Sequence, residues 1–294
     1  MAKNDYIRSP LNYTGGKYKL LPQLIPLLPK DVETFVDLFA GGCNVVVNAT
    51  AKRYIANDIE YHVIGIYNWF KSCEIDVIIN DIEGIVQQYS LSKYNTDGYK
   101  KLRDEYNSLL TSDTVSTPFY STLLFFVLIC YCFNHQFRFN KDGGFNMPFG
   151  YNVCEWNDSI KKNLINFQRA IREKDIIFTN KSFDELKVEK LGRGDLIYCD
   201  PPYLITCAMY NENRLFSWTP EMEKELYRML DRANENGVRF ALSNVLESKG
   251  KYNDLLAEWA ARYNIIHLDF GYSNSSYHTK SRAKKSDEVL ITNY

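Results

Sequence analysis

Two kinds of periodicity alternate along this chain. The apolar run Thr34-Phe35-Val36-Asp37-Leu38-Phe39 predicts a strand buried on both faces, and Ala40-Gly41-Gly42 a tight turn after it. Residues 44–51 are expected to form a helix, and Arg53-Tyr54-Ile55-Ala56-Asn57 a second strand ending in Asp58. Strand, glycine turn, helix, strand and acid make a βαβ unit. The middle behaves differently. Ile75, Ile78, Ile79, Ile82, Ile85 and Val86 recur at helical spacing, and 99–110 and 118–132 also read as helices. Residues 137–149 alternate Phe with polar side chains around Asp142-Gly143-Gly144, which predicts a β-hairpin. From residue 157 the α/β alternation returns. Helices are expected over 158–172, 220–236 and 251–262, the second with Pro220 in its first turn. Strands are expected over 176–179, 195–199, 238–243, 265–269 and 288–293. The predicted fold is α/β: one Rossmann-like, doubly wound sheet domain (1–63 and 157–294), interrupted by a mainly helical domain (64–156) bearing the hairpin.

Composition adds a complication. The 45% hydrophobic content excludes a disordered chain. The 35 basic and 36 acidic side chains, however, leave a net charge of −1. Nucleic-acid binding usually goes with a basic balance, because phosphate contacts supply much of the affinity. The charge is unevenly placed. Residues 1–30 hold Lys3, Arg8, Lys17, Lys19 and Lys30 against Asp5 alone, whereas 31–60 are mainly acidic. The segment 277–286 carries Lys280, Arg282, Lys284 and Lys285 and no acid. Local basic surfaces are therefore compatible with the neutral sum.

Cysteine and histidine usage points away from disulfides and metals. Seven Cys cannot all pair within the chain, no Cys-x-x-Cys exists, and the four His are scattered. Reduced, buried thiols are expected, and no metal. The polar N-terminus is not a signal peptide, and the longest apolar stretch is too short to span a bilayer. The expectation is a cytoplasmic monomer without a membrane partner.

The candidate chemistry lies at strand ends. Asp200-Pro201-Pro202-Tyr203 directly follows the strand 195–199, where ligands of open α/β sheets bind. An exocyclic amine on a nucleobase is a poor nucleophile, because its lone pair is delocalised into the ring. Two acceptors on its hydrogens draw the nitrogen toward tetrahedral geometry. Asp200 supplies a carboxylate and Pro201 a carbonyl, and neither proline has an N–H to compete. Tyr203 offers a ring for stacking. Asp58 ends its strand about 20 residues after the first one, where an acid commonly accepts ribose hydroxyls. No Gly-x-Gly-x-x-Gly and no P-loop is present, which disfavours a dinucleotide or triphosphate.

These motifs, with Asn12-Tyr13-Thr14-Gly15-Gly16-Lys17 ahead of them, an insert in the middle and Leu242-Ser243-Asn244 after them, occur in an order that resembles the Dam-type DNA adenine-N6 methyltransferases. Phe137-Arg138-Phe139-Asn140 and Phe145-Asn146-Met147-Pro148-Phe149-Gly150 extend the resemblance, as does the terminal strand. It implies a class I methyltransferase fold, S-adenosylmethionine as donor and double-stranded DNA as substrate. By similarity Tyr13, Gly15, Lys17, Asp37, Phe39, Gly41, Asp58, Ser182, Phe183 and Asp200 line the cofactor pocket. Asp200, Pro201 and Tyr203 hold an adenine flipped from the duplex. The insert is then a target-recognition domain. Its hairpin places Phe133 as a wedge and Arg138 as a guanine reader, with Asn134, Gln136, Asn140 and Pro148 beside them. Lys280 and Arg282 are expected to grip phosphates.

The sequence departs from the family in two places. Ser182 stands where members often carry an acid, with Asp184 near it. Members that methylate GATC usually carry Asn-Gly-Leu just before the arginine, whereas this chain has Asn134-His135-Gln136-Phe137. The expected target is an adenine site containing guanine, GATC being one such site. A restriction endonuclease sharing that site is an implied partner. Two other readings stay open: an enzyme acting on RNA adenine or a guanine exocyclic amine, and a DNA-binding regulator that has lost catalysis.

Overall fold

The computed structural model describes residues 6–111, 119–207, 218–269 and 286–294. Its strands are β1 (Thr34–Asp37), β2 (Arg53–Asn57), β3 (Ile177–Thr179), β4 (Leu196–Cys199), β5 (Arg239–Ser248), β6 (Lys251–Tyr252), β7 (Asn264–Leu268) and β8 (Asp287–Thr292). They form one sheet in the order β3-β2-β1-β4-β5-β8-β7, with β6 paired beside β5. The ladders from β3 through β5 are parallel. β8 runs antiparallel between β5 and β7. The molecule is thus α/β with a mixed, mostly parallel sheet. β1 and β4 are buried along their whole length, as a parallel sheet covered on both faces requires.

Side chains alternate between two cores. Phe35, Leu196 and Tyr198 enter one, and Ile197, Cys199 and Leu242 the other. The first face is covered by α2 (Tyr61–Ser72) and α6 (Asp158–Glu173), which pack together. The same core continues without a break into α3 (Ile75–Gln88), α4 (Thr96–Thr111) and α5 (Tyr120–Tyr131). The expected domain boundary at residues 63/64 falls inside α2. The second face is covered by α8 (Pro220–Glu235) and α9 (Asp254–Ala260). Two short helices, α1 (Leu21–Leu24) and α7 (Leu204–Cys207), are the other α-helices among the described residues.

Local chemistry explains the helix starts. Asn157 caps α6 by accepting from Ser159 and Ile160 N–H, both at 3.0 Å. Thr219 caps α8 ahead of Pro220. Asn253 caps α9 through Leu256 N–H at 3.1 Å. That cap corrects the helix expected from 251, because Lys251 and Tyr252 instead pair with β5 after a left-handed turn at Lys249 and Gly250.

Residues 44–51 are likewise not a regular helix but a run of turns. Asn48 Nδ2 takes the Asn44 carbonyl at 2.7 Å, and the Asn44 and Asn48 side chains bond the backbone of Ser9 and Ile7. Such local bonds compete with a helical ladder. The segment 137–149 folds back on itself through antiparallel bridges, Cys132 to Phe149 and Phe139 to Phe145, without regular strands.

Candidate active site

The strand order reverses at β1, whose neighbours are β2 on one side and β4 on the other. A crevice opens at such a switch point beyond the strand ends. Asp37 ends β1 there, in register with Tyr198, and Asp200 follows one residue after β4. The turn after β1 is tied down from three directions. Ala40 N–H bonds the Asn57 carbonyl at 2.8 Å, Gly41 N–H bonds Asp58 Oδ2 at 2.8 Å, and Tyr67 OH donates to the Gly41 carbonyl at 2.6 Å. Gly41 has φ +46°, and a Cβ there would lie 3.0 Å from two ring carbons of Tyr13. Glycine is needed for both reasons. Gly15, at φ +79°, closes the turn that carries Tyr13 to Lys17.

Lys17 and Asp200 meet inside this crevice. Lys17 Nζ lies 2.8 Å from Asp200 Oδ1, and the two side chains are 6% and 18% exposed. The ammonium also donates to the Gly15 carbonyl at 3.1 Å and sits 4.9 Å over the Tyr203 ring. Tyr203 OH donates to the same Asp200 Oδ1 at 3.1 Å. Oδ2 of Asp200 and the Pro201 carbonyl keep no hydrogen-bond partner among the described residues.

The electrostatics are dominated by acids. Burial raises the Asp37 carboxyl well above the ordinary range, and the nearby Asp200 and Asp58 raise it further. Asp37 is 1% exposed, and its Oδ1 has no hydrogen-bond partner among the described residues. Burial pushes Asp58 up to about 6, against the pull of the Glu60 and Gly41 N–H groups. Burial also raises Asp200, opposed by Lys17. Burial and Asp200 keep Tyr203 neutral. A pocket of this kind fits a cationic ligand, and a sulfonium with an ammonium group is one.

Phe39 and Phe183 pack at 5.6 Å. Ser182 precedes the short turn Phe183–Glu185, its N–H bonded to Glu185 Oε1 at 2.9 Å, and Asp184 is exposed. Asp58 is buried and accepts from the Gly41 N–H through Oδ2 and from the Glu60 N–H through Oδ1, at 2.8 and 2.9 Å. Tyr13 packs on Gly41 and edge-on against Phe137, at 5.9 Å, so it joins the crevice to the segment 137–149. Asn12 Nδ2 reinforces this by donating to the Asn134 carbonyl at 2.7 Å.

On that segment and the residues just before it, Phe133 is 52% exposed, and Asn134, Arg138, Asn140 and Pro148 are exposed too. Gln136 is half-buried. Arg138 Nε donates to Asn146 Oδ1 at 2.9 Å. Asn140 Oδ1 is committed to the turn, accepting from Asp142 and Gly144 N–H at 3.0 and 2.8 Å. Lys280 and Arg282 lie outside the described residues.

Three contributors were not foreseen. Asn57 bonds the Leu38 and Lys181 carbonyls and so joins the two loops of the pocket. Tyr67 carries no motif. Trp218, just before the Thr219-Pro220 cap, lies 5.6 Å from Phe39. Only the strand-end position of Asn57 was a usable sequence signal. No helix among the described residues is long and apolar enough to cross a membrane, and no group of His, Cys, Asp and Glu there is arranged to hold a metal.

Residues 13–273 match the family described as D12 class N6 adenine-specific DNA methyltransferase. The chain is 45% identical to the type II methyltransferase M.FokI of Planomicrobium okeanokoites over 293 residues, 99% of this chain and 43% of that one. It is 44% identical to the modification methylase StsI of Streptococcus sanguinis over 297 residues, 100% of this chain and 44% of that one. The DNA adenine methylase of Escherichia coli K12 is 29% identical over 297 residues, 99% of this chain and 95% of that one. The chain therefore spans less than half the length of the first two relatives. With the Asp-Pro-Pro-Tyr crevice at the switch point and a family match covering most of its length, the chain belongs to the D12 class N6 adenine-specific DNA methyltransferases.

Proposed function

We propose that the chain transfers a methyl group from S-adenosylmethionine to the N6 amine of an adenine flipped out of a short duplex DNA site. One observation carries this reading. Lys17 and Tyr203 both engage Asp200 Oδ1, which leaves Oδ2 and the Pro201 carbonyl as two open acceptors at one strand end. Two acceptors on one amine are what activation of an exocyclic nitrogen requires. Lys17 fixes the carboxylate so that Oδ2 needs no reorientation when the amine arrives. The Tyr203 ring stacks on the base. Asp200 Oδ2 is the chain's own acceptor for the proton that leaves N6 as the new nitrogen–carbon bond forms. The donor supplies an electrophilic methyl group when bound, and Asp37, Asp58, Phe39 and Gly41 would hold it. Asp37 Oδ1, buried and unpartnered, is the position that most needs a cationic donor.

The insert, approximately residues 64–156, is assigned to target recognition, with Arg138 reading a guanine through its remaining guanidinium protons while Asn146 holds its Nε and one Nη2 proton. Phe133, exposed at the mouth, fits a wedge into the stack the adenine vacates. Asn134, Gln136 and Pro148 contact DNA beside it, and Lys280 and Arg282 contact phosphates. Asn140 acts by shaping the turn rather than by a base contact. The names of the relatives, a type II methyltransferase and a modification methylase, favour a restriction endonuclease sharing the site. Tritium transfer to matched DNA and RNA substrates tests the function. Incorporation into duplex DNA alone is expected. Preference for RNA, or no transfer by a protein that still binds DNA, would support the rival readings.

A further inference from the structure

Ser243 and Asn244 are neighbours on β5, and their side chains leave on opposite faces, both fully buried. Ser243 Oγ meets Tyr198 OH at 2.9 Å, whereas Asn244 Nδ2 donates to Glu223 Oε1 at 3.0 Å. Glu223, on α8, is completely buried and makes no ion pair among the described residues. Three neutral donors surround its carboxylate. Asn244 and Tyr227 OH (2.5 Å) bond Oε1, and Trp218 Nε1 bonds Oε2. A buried carboxylate without a cation is costly, and an apolar residue would join α8 to β5 more cheaply. What the carboxylate does that an apolar residue cannot is fix the plane of Trp218. The Trp218 ring meets Phe39 edge-on, 5.6 Å away at 85°, and packs 5.3 Å from Phe183.

We propose that Glu223 is a positioning residue for the cofactor pocket: through Trp218 it sets the Phe39–Phe183 wall against which the donor binds. The proposal rests on the reading of S-adenosylmethionine as the ligand. Wild-type binding of S-adenosylhomocysteine by calorimetry tests that reading, and the ratio between variants tests this proposal. Glu223→Gln places an amide NH2 among three donors. With its oxygen on Asn244 and Tyr227, the amide faces the Trp218 N–H and releases the ring. Its Kd for S-adenosylhomocysteine should rise about tenfold, the scale of one buried hydrogen bond. In methylation assays KM for the cofactor should rise in parallel, with kcat and KM for DNA within about twofold of wild type.

Tyr227→Phe removes a donor from the same carboxylate but leaves the Trp218 bond. It should lower Tm while leaving the cofactor Kd within about twofold. Combining Glu223→Gln with Trp218→Phe should add little to the first change, because both break one bond. Should Glu223→Gln fail to fold, Trp218→Phe alone must still raise the cofactor Kd. An unchanged Kd in Glu223→Gln (or in Trp218→Phe, if that stands in), or an equal rise in Tyr227→Phe, would overturn the proposal.

Discussion

The crevice beyond β1 and β4 and the folded-back segment 137–149 sit side by side, joined by Tyr13, but hold their polar groups in opposite ways. In the crevice, acids are buried against backbone N–H groups and one lysine, and their titration is displaced by that burial. In the segment, asparagine side chains hold the backbone. Asn107 bonds Phe145 N–H and carbonyl at 2.8 and 3.1 Å, and Asn140 closes the turn. Arg138 is left exposed. Reaction chemistry needs preorganised groups in a low-dielectric site, whereas reading a duplex needs a firm frame with side chains still open to solvent.

Asp200→Asn should lower single-turnover methyl transfer about a thousandfold, the scale of losing one preorganised transition-state contact, while S-adenosylhomocysteine binding persists. Equal losses in both would place Asp200 in cofactor binding alone.

Asp37→Asn should act the other way round. Cofactor Kd should rise about tenfold to a hundredfold, as for loss of a charge-assisted bond. The cofactor-free protein should become more stable. The folded pKa of Asp37 is raised above 3.8, so its contribution to stability is fully present below about pH 4 and is lost as pH rises through the folded value. The Tm advantage of Asp37→Asn should therefore widen from pH 5 to pH 8. An advantage that does not change with pH would contradict the buried acid cluster.

On the recognition side, Arg138→Ala should relax preference at one base position by about tenfold to a hundredfold, without changing cofactor Kd. A uniform loss across all sequences would make it a phosphate contact instead. The smallest effect belongs to Asn140→Ala, which frees the turn. A loss of about 1 kcal/mol of stability is expected, with a few-fold weaker DNA binding. Loss of base preference without loss of stability would restore Asn140 as a direct reader.

Much of the crevice was legible because its signals are short-range. β1 and β4 are largely apolar runs, the first ending in Asp37 and the second followed directly by Asp200. The glycines follow from a positive φ and from the nearness of Tyr13. What was illegible depends on distant partners. Nothing near Lys17 in the chain announces Asp200, 183 positions away, and nothing near Trp218 announces Phe39. The run 44–51 had a helical pattern, but Asn44 and Asn48 were claimed by the N-terminal segment. α2 was split by the expected boundary because its buried face shares one core with the sheet and with α3 to α5.

The proposed reaction leaves its product in the DNA, where it can be read base by base. Modified-base sequencing of random-sequence duplex DNA, incubated with the wild-type chain and S-adenosylmethionine, tests it most directly. N6-methyladenine is expected to be confined to one short guanine-containing motif and to be absent with Asp200→Ala. N4-methylcytosine as the product, or N6-methyladenine scattered without a motif, would contradict it.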